Sequence, residues 1–167
     1  HISMKMPVRS DQYYVLNPKA VLGEMDTTAE YKFAYDTENI YVYIEVNDDV
    51  HEYIDNASDY WKGDSIQLAV CPVGKTYATE ISLVHNEAAQ TSSIYSSQNT
   101  EAEVAKVKLA TKRVDGKTIY ETAIPWDITF TKETTYTYTT EGYKIEEADQ
   151  LDENGLPEKC LLSFAIN

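Results

Sequence analysis

The sequence has few basic residues and few cysteines. It contains 14 Lys and Arg against 28 Asp and Glu, a net charge of -14 at pH 7. Phosphate recognition needs a basic patch, so we expect no nucleic-acid partner. Cys71 and Cys160 form no C-x-x-C pair, which argues against a zinc site, whereas a disulfide between them is left open. No apolar run is long enough for a membrane-spanning helix.

The first four residues, His1–Met4, have the character of an expression-tag remnant. We therefore assign residues 5–167 to one domain, which at this length buries a core without disulfides or metals. The absence of a signal peptide after such a remnant says nothing about secretion.

Catalytic motifs are scarce. Gly63-Asp64-Ser65-Ile66 resembles the nucleophile block of GDSL hydrolases, but that family also needs an Asp-x-x-His near its C-terminus. The last histidine here is His85, and no Gly-x-Ser-x-Gly elbow is present. Paired carboxylates suited to glycoside hydrolysis are too abundant in an acidic chain to indicate a site. The sequence therefore favours binding over catalysis.

Alternating apolar and polar residues dominate the chain. In residues 40–46 every even position is Ile or Val, and every odd position is Tyr or Glu, which predicts a half-buried strand. Val114-Asp115-Gly116-Lys117 predicts a hairpin turn. The resulting fold class is an all-β, antiparallel, jelly-roll-like sandwich. The other predicted strands are 31–35, 66–70, 77–84, 104–111, 118–124 and 161–166.

Helical periodicity is almost absent. Its best candidate, Glu101–Lys108, has β-branched neighbours and is assigned to strand. Two long polar stretches, Asn86–Thr100 and Thr131–Pro157, predict functional or mobile loops. Within the second, Thr134–Thr140 is open to an alternative assignment as an edge strand.

The loop 47–59 is rich in hard oxygen ligands. Its carboxylates predict a calcium site, while a solvated acidic loop remains the alternative. The acidic run 149–155 lacks the ligand spacing of an EF-hand. The predicted calcium ligands are Asp48, Asp49, Asp55 and Asp59.

The two tryptophans differ in their surroundings. Trp126 follows Ala123-Ile124-Pro125 and is expected to plug the end of a strand. Trp61 stands between Tyr60 and Lys62 in a polar loop, where an amphipathic aromatic residue favours contact with a partner.

Several short blocks, in this order and spacing, resemble family 9 carbohydrate-binding modules. Each block is weak alone, and together they span residues 31–167. The blocks are Phe33-Ala34-Tyr35-Asp36, Asn39-Ile40-Tyr41-Val42, Val46-Asn47-Asp48, Trp61-Lys62-Gly63-Asp64-Ser65-Ile66-Gln67-Leu68, Tyr120-Glu121-Thr122-Ala123-Ile124-Pro125-Trp126 and Phe164-Ala165-Ile166-Asn167.

The resemblance implies a non-catalytic β-sandwich module attached to secreted bacterial polysaccharide-degrading enzymes. It also implies structural calcium and a slot that clamps a sugar between two aromatic rings. Trp61, beside Tyr60, matches one of those rings. Gln67 matches a polar sugar contact, and Glu80 and Ser82 fall near others.

The chain departs from the family pattern at both ends. It has no opening Asp-Gly block, and members continue past the Phe-Ala-Ile-Asn block into a strand that bears the second aromatic ring. We therefore expect the domain to lack terminal strands, which leaves an edge that can pair with another domain or a complementary fragment.

The predicted function is carbohydrate binding by a module of a secreted or cell-surface bacterial protein. The alternative is a structural or interaction module within a larger glycoside-acting enzyme, without a working sugar site.

Overall fold

The computed structural model describes residues 2–7, 27–72, 78–129, 133–139, 142–148 and 160–167. The strands are β1 Ile2–Pro7, β2 Thr28–Tyr35, β3 Asn39–Asn47, β4 Ser65–Pro72, β5 Thr79–Asn86, β6 Thr91–Tyr95, β7 Lys108–Val114, β8 Lys117–Pro125, β9 Glu133–Thr139, β10 Gly142–Ala148 and β11 Cys160–Ile166. The helical segments are a 3-10 helix, Ala57–Lys62, and two short α-helices, α1 Glu101–Val104 and α2 Trp126–Thr129. No helix in these ranges is both long and apolar enough to span a membrane.

Two antiparallel sheets form a sandwich. The five-stranded sheet has the order β1-β2-β3-β8-β7, and the four-stranded sheet has the order β11-β4-β5-β6. A separate hairpin pairs β9 with β10. Buried side chains from both sheets form a single core cluster, so the two sheets pack face to face. The predicted all-β antiparallel sandwich is confirmed.

The core follows the alternation of the central strands. In β3 the even positions from Ile40 to Val46 are at most 6% exposed, whereas Tyr41 is 38% exposed. In β4 the inward residues Ile66, Leu68 and Val70 are at most 1% exposed. Full burial of each such side chain stabilises the fold by about 1.5–3 kcal/mol. The prediction for residues 40–46 is confirmed.

Two other local predictions are also confirmed. Trp126 is 4% exposed, and its Nε1 donates to the carbonyl oxygen of Asp36 at 3.0 Å, so it closes the end of the sandwich. Val114 lies opposite Lys117 across a two-residue turn. Both turn residues have positive φ, 52° at Asp115 and 71° at Gly116, as a type I′ hairpin requires.

The predicted strand 104–111 begins too early. Residues Glu101–Val104 form a helical turn, and β7 begins only at Lys108. A capping box fixes that turn, because the Thr100 amide donates to Glu103 Oε2 at 2.7 Å while Thr100 Oγ1 accepts from the Glu103 amide at 3.3 Å. Two otherwise free amides are thereby satisfied, and the local helix forms.

The two predicted polar loops contain strands. Within Asn86–Thr100, β6 pairs with β5 in antiparallel register. Within Thr131–Pro157, β9 and β10 form a hairpin, which confirms the alternative strand assignment around Thr134–Thr140. The assignment of both stretches as loops is wrong for these parts. The acidic run 149–155 lies outside the described residues.

The ends of the chain join different sheets. β1 pairs with β2, so a strand includes Ile2–Met4 of the predicted tag remnant, whose origin stays a prediction. β11 pairs with β4 and is one of the two edge strands of the four-stranded sheet, opposite β6. Cys71 lies opposite Leu161 and Cys160 lies opposite Pro72, so the two cysteines are not a directly facing pair. A disulfide between Cys71 and Cys160 stays an untested alternative.

Candidate functional site

Three of the predicted sugar contacts share the outer face of the four-stranded sheet. Because Ile66 and Leu68 point into the core, Gln67 between them points outward. Gln67 lies opposite Ser82, and Glu80 lies two residues from Ser82 along β5, on the same face. Gln67 Nε2 donates to Glu80 Oε1 at 3.0 Å. The structure therefore brings these three side chains together, as their strand positions predict.

Ser82 occupies the floor of this face. It is 5% exposed because it lies between Gln67 on β4 and Tyr95 on β6. Glu80 is exposed at the rim. Of the two side chains, Glu80 is accessible from solvent, whereas Ser82 is covered and supports the floor.

Two residues extend the polar network. Asn167 Nδ2 donates to Gln67 Oε1 at 3.1 Å and to Ser65 Oγ at 3.0 Å. Gln98 Oε1 accepts from the Glu80 amide at 3.0 Å. Sequence reasoning missed both. Alternation along β11 could have placed Asn167 outward, but nothing in the polar stretch around Gln98 indicates where its side chain goes.

Tyr60 lies beneath the surface of the same face. It is 8% exposed, and its ring meets that of Tyr95 edge-on, with centroids 6.5 Å apart and planes at 89°. The ring of Tyr53 is 6.4 Å away on another side. A ring enclosed in this way cannot stack on a sugar. The predicted direct contact through Tyr60 is therefore corrected: Tyr60 anchors the 3-10 helix against the sheet.

Trp61 is the exposed aromatic residue of the 3-10 helix. Its side chain is 45% exposed, next in sequence to the buried Tyr60. Lys62 Nζ lies 5.2 Å from the centroid of the Trp61 ring and 2.8 Å from Asp59 Oδ1. The ammonium group is thus held beside the indole by a cation–π contact and an ion pair.

The turn after Trp61 admits only glycine for steric reasons. A Cβ at Gly63 would stand 2.6 Å from the carbonyl oxygen of Glu52 and 2.7 Å from Cγ1 of Ile54. The backbone in this region also closes through the Asp64 amide, which donates to the Glu52 carbonyl at 2.8 Å. The segment 52–54 therefore lies tightly against the end of the 3-10 helix and fixes its position.

A buried histidine pair lies under the same loop. His51 Nε2 donates to the carbonyl oxygen of His85 at 2.9 Å, and the two rings are 5.7 Å apart. His51 Nδ1 lies 3.4 Å from Asp64 Oδ2, which also accepts from the Glu52 amide. Burial raises the pKa of Asp64, with a further rise from the charge of Asp48. Sequence separation hid this cluster, which ties the loop to the sandwich.

His85 is the inner member of the pair. It is 1% exposed, and its Nδ1 lies 2.7 Å from Thr111 Oγ1 on the five-stranded sheet. Its Nε2 is buried and has no hydrogen-bond partner among the described residues. Burial lowers the pKa of His85, and the neighbouring His51 lowers it further. Burial therefore favours the neutral ring, which connects the two sheets.

The predicted calcium ligands do not converge. Asp48 Oδ1 accepts from the Val50 amide at 3.1 Å, and Asp55 Oδ1 accepts from the Tyr53 hydroxyl at 3.1 Å. Asp59 is held by Lys62, whose hydrogen bond lowers the pKa of the Asp59 carboxyl.

Asp49 is exposed in the same loop. In the part of the chain that the structure describes, no three His, Cys, Asp or Glu residues lie close enough to hold a metal ion. The four aspartates thus serve the loop itself, and they do not fit a shared calcium ion. Calcium binding by the chain stays a prediction.

Comparison with known proteins gives a family and two similar structures. The family described as "Carbohydrate family 9 binding domain-like" matches residues 10–164. A family 9 carbohydrate-binding module from Caldicellulosiruptor kristjanssonii in complex with cellotriose has 16% identity and a TM-score of 0.49, covering 68% of this chain and 56% of that one. Another from the same organism, in complex with glucose, has 15% identity and a TM-score of 0.48, covering 84% and 68%.

No curated protein matches the chain. The chain spans little more than half of the first of these two structures. The family match, in contrast, extends over nearly the whole sequence and includes Trp61, Gln67 and Glu80, whereas Asn167 lies just beyond it. The chain belongs to the Carbohydrate family 9 binding domain-like family.

Proposed function

We propose that this chain binds carbohydrate without catalysis at the outer face of the four-stranded sheet. One observation is central: Gln67, Glu80 and Asn167 form a hydrogen-bonded network on a face that also holds the 3-10 helix with the half-exposed Trp61. Membership of a carbohydrate-binding family supports the function, carbohydrate binding.

The chemistry of the network suits sugar hydroxyls. Gln67 both donates to Glu80 and accepts from Asn167, so its amide is oriented before any ligand arrives. A hydroxyl group is donor and acceptor at once and can replace either bond. Because the side chains are already ordered, little conformational entropy is lost on binding.

Trp61 supplies the apolar contact. An indole presents a broad π-face, and a sugar ring has one face of C–H groups that can lie on it. Stacking combined with a few directional hydrogen bonds gives modest affinity and no turnover. We propose further that the parent is a secreted or cell-surface bacterial protein that acts on polysaccharide, with this module as its accessory.

Calorimetric titration with soluble plant and bacterial glycans, and with their mono- and disaccharides, tests this proposal. We expect saturable binding that Trp61→Ala abolishes while the thermal midpoint stays within about 2 °C of the parent. Tyr35→Ala is the matched control, because Tyr35 is 72% exposed and lies on the other sheet.

Two results would contradict the proposal. Binding that survives Trp61→Ala would place the sugar elsewhere. Silence across the panel, together with a large fall in thermal midpoint for Trp61→Ala, would favour a structural module in which Trp61 packs against a neighbouring domain.

A further inference from the structure

A depression lies on the outer face of the five-stranded sheet, which faces away from Trp61. Its volume is about 550 Å³. Small-molecule sites in proteins commonly have volumes of about 300–1,000 Å³. This face is separate from the proposed sugar site on the four-stranded sheet.

Strand register creates the depression. Ala34, Tyr41 and Ala123 lie side by side on three neighbouring strands, so a tyrosine stands between two alanines. In the next row, Tyr43 lies opposite Glu121, which in turn lies opposite Ala110. Short alanine side chains beside long tyrosines leave a trough along the rings, and all six of these positions point away from the core.

The two tyrosines are held by their hydroxyl groups. Tyr41 Oη donates to Asp36 Oδ2 at 2.7 Å, and Asp36 is itself fixed by the amides of Glu38 and Asn39 at 2.8 Å each. The hydroxyl of Tyr43 donates to Glu45 Oε2 at 2.9 Å. Because the hydroxyl groups of Tyr41 and Tyr43 are already hydrogen-bonded, a ligand would contact the faces of the two rings. These faces are held in position before a ligand binds.

The rim has charged groups of both signs. Lys32 Nζ lies 5.0 Å from the centroid of the Tyr43 ring. Lys108 and Glu121 are exposed and line the depression. Neither forms an ion pair with any of the described residues. The rim therefore offers free donors and a free acceptor around an apolar floor.

We propose that this trough is a second carbohydrate site, lined by the rings of Tyr41 and Tyr43. A sugar ring has an apolar face for the tyrosines and hydroxyl groups for Lys108 and Glu121. A polyanion is disfavoured by the carboxylate of Glu121 inside the trough. An added β-strand needs an open sheet edge, whereas this is the face of a sheet.

Two sites on opposite faces of one sandwich let a single module hold two glycan segments. The avidity of such a module for a polysaccharide exceeds the affinity of either site alone. The inference stands on a different surface from the proposed Trp61 site, so the two can fail independently.

The test is an amide NMR titration with cellotriose, xylotriose and maltotriose, each to about 10 mM, which saturates a site with a Kd of about 1 mM. We expect shifts at Ala34, Tyr43 and Ala123 in the parent protein and equally in Trp61→Ala. Ala123→Arg, which fills the trough from an outward position, is expected to weaken this response at least about tenfold. Ala102→Arg makes the same change at an exposed helical position and is expected to leave it intact.

The outcomes separate the two proposals. Shifts confined to the surroundings of Gln67 support the Trp61 site and overturn the second site. Shifts confined to the Tyr41 and Tyr43 face support the second site and overturn the first. No shift on this face with any of the three sugars, or a response that Ala123→Arg leaves unchanged, overturns the inference.

Discussion

Replacing Gly63 by alanine is expected both to destabilise the domain and to weaken sugar binding. The added methyl group would lie 2.6 Å from the Glu52 carbonyl oxygen. This oxygen belongs to the backbone, so no side-chain rotation can relieve the clash. It would also stand 2.7 Å from a methylene carbon of Ile54. The segment 52–54 or the end of the 3-10 helix must move, and Trp61 is two residues from the clash.

The magnitude follows from the cost of overpacking. Inserting one methyl group into a well-packed contact costs about 1–3 kcal/mol. For a domain of this size each kcal/mol lowers the thermal midpoint by about 2–4 °C, so we expect a fall of about 2–12 °C. The backbone at Gly63 is extended, with φ -122° and ψ -172°, so none of this cost comes from left-handed strain.

Thermal and urea unfolding measure the effect, and Gly116 supplies the control. At Gly116 φ is +71°, and among the described residues a Cβ would meet only the Asp48 carbonyl oxygen, at 3.7 Å. Alanine there therefore costs about 1–2 kcal/mol through backbone strain. Asparagine tolerates positive φ, so Gly116→Asn should lose less stability than Gly116→Ala. At Gly63 the larger side chain should make Gly63→Asn less stable than Gly63→Ala. A Gly63→Ala protein within about 0.5 kcal/mol of the parent would refute the steric argument.

The other predictions concern acid stability, the buried Tyr60 and calcium. Burial lowers the pKa of His85 below its ordinary 6.5, so the unfolded state binds a proton at higher pH than the folded state does. The contribution of His85 to stability is therefore full above pH 6.5 and declines below it. Urea unfolding should show this decline, with a slope of at most about 1.4 kcal/mol per pH unit from this group, and His85→Asn should flatten it. Tyr60→Ala should cost about 3–5 kcal/mol by chemical denaturation, whereas Trp61→Ala should cost under about 1 kcal/mol; equal losses would contradict the assigned burial. Any rise in thermal midpoint on adding calcium should persist in Asp59→Asn, because Asp59 is paired with Lys62; its disappearance would return Asp59 to the ligand set.

Strand positions were predictable because burial in a sandwich imposes a period of two. The alternation of residues 40–46 and the Asp115-Gly116 turn each follow from local chemistry, and both are confirmed. The same alternation places Gln67 outward, which is why it joins Glu80 on one face. The turn at Thr100 was also visible in the sequence, as Thr-x-x-Glu, but β-branched neighbours were given more weight.

The remaining errors come from contacts between distant segments. Tyr60 looks exposed within a polar loop, and only the path of the 3-10 helix across the sheet shows that Tyr95 covers it. The meeting of His51 with His85 joins residues 34 positions apart, which no periodicity reports. Acidic density around Asp48 suggested a metal, although carboxylates in loops equally serve as acceptors for nearby amides and hydroxyls.

The loop from Asp48 to Asp64 is tethered at its first residue, at His51 and at its last residue. Its first amide donates to the Gly116 carbonyl at 2.9 Å, His51 reaches the His85 carbonyl, and Asp64 closes back on Glu52. Opening this segment must break contacts to both sheets at once, so its amides should exchange with deuterium nearly as slowly as those of the central strands. On the proposed function, ligand association at Trp61 needs no loop closure, and its rate should be set by diffusion and orientation alone.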